Sequence, residues 1–94
     1  MRIPVLLLAA ALAASAQNPD ARKAQRAFEQ GLRWEADARW EQAIRSYGEA
    51  IADYTAFLKE FPESTTREEA LYGRALCYYF TEKYDDAAAD LEEC

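Results

Sequence analysis

Trp40-Glu41-Gln42-Ala43-Ile44-Arg45-Ser46-Tyr47 is echoed forty-four residues later by Tyr84-Asp85-Asp86-Ala87-Ala88-Ala89-Asp90-Leu91. In each stretch an aromatic is followed three residues on by Ala, and four further on by a large apolar residue. A small residue precedes each Ala by twelve positions, Gly31 in one copy and Ala75 in the other. An aromatic follows each of these by three, Trp34 and Tyr78. Self-similarity of this kind marks units that bury their apolar faces on one another.

The pattern reads as antiparallel helix pairs. The small residues Gly31/Ala43 and Ala75/Ala87 allow two helix backbones to approach, and Trp34/Trp40 and Tyr78/Tyr84 fill the space near the turn. The first unit offers Gly31, Trp34, Trp40, Ala43, Tyr47 and Ala50; the second offers Leu71, Ala75, Tyr78, Tyr84, Ala87 and Leu91. On these residues the chain resembles the tetratricopeptide repeat, a helix–turn–helix unit of about 34 residues. The resemblance covers most of the sequence from Ala24 onward. It implies an all-α fold of about two repeats, over about 24–61 and 65–94.

The spacing departs from the family pattern by roughly ten residues, and the surplus sits in Ile51–Thr66. Tyr47-Gly48-Glu49-Ala50-Ile51 repeats the opening pattern seven residues on, close to two helical turns. One long second helix, Arg39 to Glu60, is therefore expected. A turn at Ser46-Tyr47-Gly48 is the other reading, and it would leave Ile44 at the turn. Apolar positions Ala43, Ile44, Tyr47, Ala50, Ile51, Tyr54, Phe57, Leu58 and Phe61 step by three and four throughout, as a helix requires.

Elsewhere the punctuation is local. Asn18 reads as an N-cap with Pro19 at the first helical position. Pro62 ends the long helix. Thr65 with Glu68, or Thr66 with Glu69, would form a capping box for a third helix over Thr65 to Thr81. Asp85 and Asp86 suit the positive end of a last helix from Tyr84. That helix is short, and nothing after it covers Ala88 and Leu91. Repeat stacks need terminal caps, so a longer repeat protein, or a partner or second copy at the open end, is expected.

Ninety-four residues hold one small domain. Arg2, the apolar run Val5 to Ala14 and Ala14-Ser15-Ala16 read as a secretory signal peptide over 1–16. The run is well short of the roughly 20 residues of a membrane helix. The expected mature chain begins at Gln17, is exported to the periplasm or secreted, and inserts in no membrane. The full chain carries 11 basic and 17 acidic residues, a net charge of −6. Such a balance argues against nucleic acid as a partner. Asp90, Glu92 and Glu93 read as a solvated face and not as a metal site. Cys77 and Cys94 in an exported chain raise the question of a disulfide. Their heights on antiparallel helices differ by about 5 Å or more. Cys77 is therefore expected as a small buried hydrophobe.

The sequence has no His, and Gly31, Gly48 and Gly73 are scattered through helices. Imidazole-based catalysis and a Gly-rich phosphate loop are thereby removed, and neither an enzyme nor a cofactor is expected. The resemblance implies instead a concave groove lined by the first helix of each repeat, receiving a peptide or helix. Carried onto this sequence, that groove includes Phe28, Leu32, Glu35, Tyr72, Leu76, Tyr79 and Phe80. The last four share one helix face at i, i+4, i+7 and i+8. The Lys and Asn clamp of cochaperone-type repeats is missing. The run Tyr54-x-x-Phe57-Leu58-x-x-Phe61-Pro62-x-Ser64 is similar to periplasmic members of bacterial envelopes. Among these are the Tol-Pal-associated cell-division coordinator and the repeat-bearing outer-membrane assembly lipoprotein. The function implied is a binding scaffold, with self-association or support of a downstream domain as the alternative.

Overall fold

The computed structural model describes residues 20–94, so the signal-peptide reading and the Asn18 cap lie outside the described residues. Four helices follow one another: α1 (Arg22–Ala36), α2 (Trp40–Glu60), α3 (Arg67–Phe80) and α4 (Tyr84–Glu93). No strand occurs among the described residues, and the fold is all-α. No described helix is long and apolar enough to cross a membrane.

The turns after α1 and α3 are built alike, forty-four residues apart. After α1, Arg39 N–H donates to Trp34 C=O at 2.8 Å and Ala38 N–H to Glu35 C=O at 2.9 Å. After α3, Lys83 N–H donates to Tyr78 C=O at 2.8 Å and Glu82 N–H to Tyr79 C=O at 3.1 Å. This paired bonding is the Schellman motif, which satisfies carbonyls orphaned at a helix end. It needs a left-handed residue, and Ala38 (φ 59°) and Glu82 (φ 64°) occupy that position without being glycine. Each such Cβ costs about 1 kcal/mol. The aromatic echo of the sequence therefore marks two copies of one turn.

α2 runs unbroken from Trp40 to Glu60, through the Ser46-Tyr47-Gly48 segment. Ala43, Tyr47, Ala50, Tyr54 and Phe57 are its buried apolar stripe. Their alternating four and three spacing keeps one face inward over the helix length. Phe61 closes the helix at φ −128°, ψ 62°, outside the helical region, because the ring of Pro62 crowds a helical residue before it. Thr66 is the N-cap of α3 but makes no side-chain cap hydrogen bond. Its N–H instead donates to Ser64 Oγ at 3.2 Å, and the two hydroxyls lie 3.0 Å apart. A Thr66–Glu69 capping box is therefore not the device that starts this helix.

α1 and α3 both run antiparallel to α2 and lie over it. A Cβ at Gly31 would stand 2.6 Å from Cε1 of Tyr47, and one at Gly73 would stand 2.5 Å from the Tyr54 hydroxyl. Each glycine lets a tyrosine of α2 slide under an upper helix. Gly31 thus makes room for Tyr47, where the sequence pointed to Ala43.

α4 is fastened to α3 by a pair that the sequence reading missed. Arg74 donates from Nε to Asp90 Oδ2 at 2.8 Å, from Nη2 to Asp90 Oδ1 at 2.6 Å, and from Nη1 to Thr55 Oγ1 at 3.1 Å. Asp90 is only 5 % exposed. The expectation of a solvated Asp90 is corrected: a forked guanidinium on α3 matches its carboxylate across the hairpin. The hydrogen bond to Asp90 holds the Arg74 guanidinium above its already high ordinary pKa. Both cysteines are free, Cys77 fully buried and Cys94 exposed. Burial pushes the Cys77 thiol up to about 12.

Candidate functional site

α1 and α3 meet at one end and leave a cleft at the other. Midway along α1, Phe28 stacks on Phe80 at the end of α3 with ring centroids 6.4 Å apart, and Phe80 packs on Tyr47 at 5.4 Å. Toward the helix N-termini the facing residues are small or polar, Ala21 and Gln25 on one side and Ala70 and Gly73 on the other. A cavity of about 560 Å³ opens there. Its floor is Tyr54, whose side chain rises from α2 into the space that Gly73 leaves. Phe28 and Glu29 form one wall, Tyr72 and Leu76 the other. The volume falls within the roughly 300–1,000 Å³ of ligand sites.

The floor is apolar in substance with a single polar tip. Tyr54 is 3 % exposed, and its hydroxyl lies against Gly73. Burial first, then the neighbouring Cys77 and Glu29, push that hydroxyl up to about 12, so it stays protonated at neutral pH. The wall residue Tyr72 is 54 % exposed, a large ring held in water beside an apolar cleft. Asp20, Glu29, Glu68 and Glu69 form the exposed margin.

The residues expected from the sequence divide. Phe28, Tyr72 and Leu76 line the cavity. Phe80 lies beyond its closed end, half-buried against Phe28 and Tyr47. Tyr79 is exposed and meets Tyr84 edge-on at 5.4 Å. Leu32 and Glu35 lie further along α1 and do not line it; the negative charge of Glu35 acts on Tyr47 instead. Tyr54 was not expected in the site. The available signal was Gly73, a glycine inside a helix that otherwise carries bulky residues, which asks what large side chain it admits.

No protein-family model, no curated protein and no solved structure matches this chain.

Proposed function

We propose that this chain is a binding scaffold without chemistry of its own, and that the α1–α3 groove receives a peptide or helix of another protein. The carrying observation is the half-exposed Tyr72 beside Leu76, on the wall of an open cavity floored by buried Tyr54. Aromatic side chains in such a position anchor partners, because they give up large apolar area for little lost rotamer freedom. The paired turns at Ala38 and Glu82 support reading the chain as tetratricopeptide-like repeats. With the leader reading, the place of action is the bacterial envelope. Recovery of a natural chain whose first residue is Gln17 would support export; retention of Met1 would refute it.

A photo-crosslinking residue placed at Tyr72 in the source cell tests docking directly. An adduct to a second polypeptide is expected at Tyr72 and not at exposed Glu49 on the outer side of α2. Equal labelling at both positions, or none at Tyr72, refutes the groove. Phe80→Ser is a poor test, since Phe80 supports Phe28 and Tyr47 and its loss disturbs packing. A second reading, self-association, is favoured by Trp40 and Ile44, both largely exposed one helical turn apart on α2. Sedimentation of wild type beside Ile44→Ser separates it from docking: only a surface that joins two copies loses a dimer on that change.

A further inference from the structure

The groove is unequal in charge. Among the described residues, Asp20, Glu29, Glu68 and Glu69 are its only charged lining side chains, and all are acidic. Helix ends account for part of this. Glu68 and Glu69 stand in the first turn of α3, and each helix N-terminus supplies about half a positive charge. Asp20 pairs with exposed Arg22 at 3.1 Å. Two helix ends and one guanidinium offset roughly two of the four carboxylates, leaving about two negative charges uncompensated. The neighbouring cations do not close the gap. Lys23 is turned to Asp53 at 3.6 Å and Arg67 to Glu93 at 3.1 Å, while Arg26 does not line the cavity. Glu29, Glu68 and Glu69 hold no ion pair among the described residues.

A second feature points the same way. Tyr54 lines this cleft, and its hydroxyl, unlike the sealed hydroxyl of Tyr47, is open to an incoming polar group. Its oxygen has lone pairs free to accept from an ammonium or guanidinium. Carboxylates stand on both walls, Glu29 on α1 and Glu68 with Glu69 on α3, over an apolar floor.

Resting on the docking reading above, we infer that the groove takes an amphipathic, Lys- or Arg-bearing peptide segment of a partner protein. Its apolar side chains seat on Phe28, Tyr72 and Leu76. Its cations lie between Glu29 and the Glu68–Glu69 pair. Charge complementarity of this sort selects partners and speeds encounter more than it adds raw affinity.

The test uses the full chain and three labelled helical peptides with one leucine face. Their other faces carry lysine, glutamine or glutamate, and binding is read by fluorescence anisotropy. The lysine peptide is expected to bind at least about tenfold tighter than the glutamate peptide. Raising salt toward 1 M, where the screening length is about 3 Å, should remove most of that preference. Glu29→Gln combined with Glu69→Gln should weaken the lysine peptide about fivefold and leave the glutamine peptide unchanged. Tyr72→Ser and Leu76→Ser should weaken both, with helicity checked by circular dichroism; Tyr72 is exposed enough to change without unfolding. Equal binding of all three peptides, lost in Tyr72→Ser, leaves the docking groove standing and overturns its charge preference. Absence of binding, or binding indifferent to Tyr72→Ser, overturns both. A dimer of the chain that Tyr72→Ser disperses assigns the groove to a second copy and overturns the inference as well.

Discussion

α2 presents the same device twice. Tyr47 lies under Gly31 of α1, and seven residues on Tyr54 lies under Gly73 of α3. Both rings are almost wholly buried, and both hydroxyls are pushed up to about 12, chiefly by burial. Their surroundings differ. Phe28 and Phe80 close over Tyr47, leaving its hydroxyl sealed and without a hydrogen-bond partner. Over Tyr54 the facing residues are Ala21, Gln25, Ala70 and Gly73, and a cavity of about 560 Å³ remains. One tyrosine holds two helices together, while the other forms the floor of an open cleft. The groove arises from what fails to fill it.

The largest expected effect concerns what holds the open end apart. Arg74 ties Thr55 beside Tyr54 to Asp90 of α4. Asp90→Ala leaves that part-buried guanidinium without its carboxylate, and should cost about 3 kcal/mol in urea unfolding. A loss below about 1 kcal/mol would show that the clamp is ornamental to the groove.

The glycines come next. A Cβ at Gly31 meets the middle of the Tyr47 ring, at Cε1 and Cδ1, under two phenylalanines that block retreat. Gly31→Ala should cost about 1–2 kcal/mol even after the roughly 1 kcal/mol gain in helix propensity. At Gly73 the nearest atom is the tip of Tyr54, free to tilt into the cavity. Gly73→Ala should fall within about 0.5 kcal/mol of wild type. Gly48, with nothing near its missing Cβ, serves as control: Gly48→Ala should stabilise by about 1 kcal/mol. Equal costs at Gly31 and Gly73 would erase the distinction between sealed and open sites.

Alkaline pH strains both sites. Cys77, Tyr47 and Tyr54 rise to about 12 from ordinary values of 9, 10 and 10. Above pH 9 the unfolded chain loses these protons first, so the folded state binds more protons and stability falls as pH rises. Ellipticity should hold to about pH 9, then decline progressively toward pH 12. Cys94 should react with a thiol reagent in the native state and Cys77 only on unfolding.

The smallest effect is the hydroxyl itself. Tyr47→Phe removes a buried polar group that bonds to nothing, and should be neutral or stabilise by up to about 1 kcal/mol. Tyr54→Phe should leave stability unchanged and alter only what the groove binds.

The helices were largely legible in the sequence, and the reasons are local. The three-and-four stepping from Ala43 to Phe57 and the stop at Pro62 depend on neighbours within a turn or two. The echo of Trp40 and Tyr84 located both turns. Its fuller meaning, a left-handed Ala38 and Glu82, carried no glycine to advertise it. Long-range pairing was less legible. Asp90 looked solvated because Arg74 lies sixteen residues away across a turn. Phe80 shares a helix face with Tyr72 and Leu76, yet sits where α1 and α3 converge. That convergence depends on Phe28, and helical spacing within α3 carries no record of it.

The central claim is that the open site binds and the sealed one does not. Backbone amide shifts of the full chain, followed by ¹H–¹⁵N NMR during titration with the lysine-faced peptide, test it most directly. The account predicts saturable shifts clustered at Ala21, Glu29, Ala70, Tyr72, Gly73 and Leu76, with Gly31 and Tyr47 unmoved. Shifts confined to the outer face of α2 around Trp40 and Ile44, or no saturable shifts at all, would contradict it.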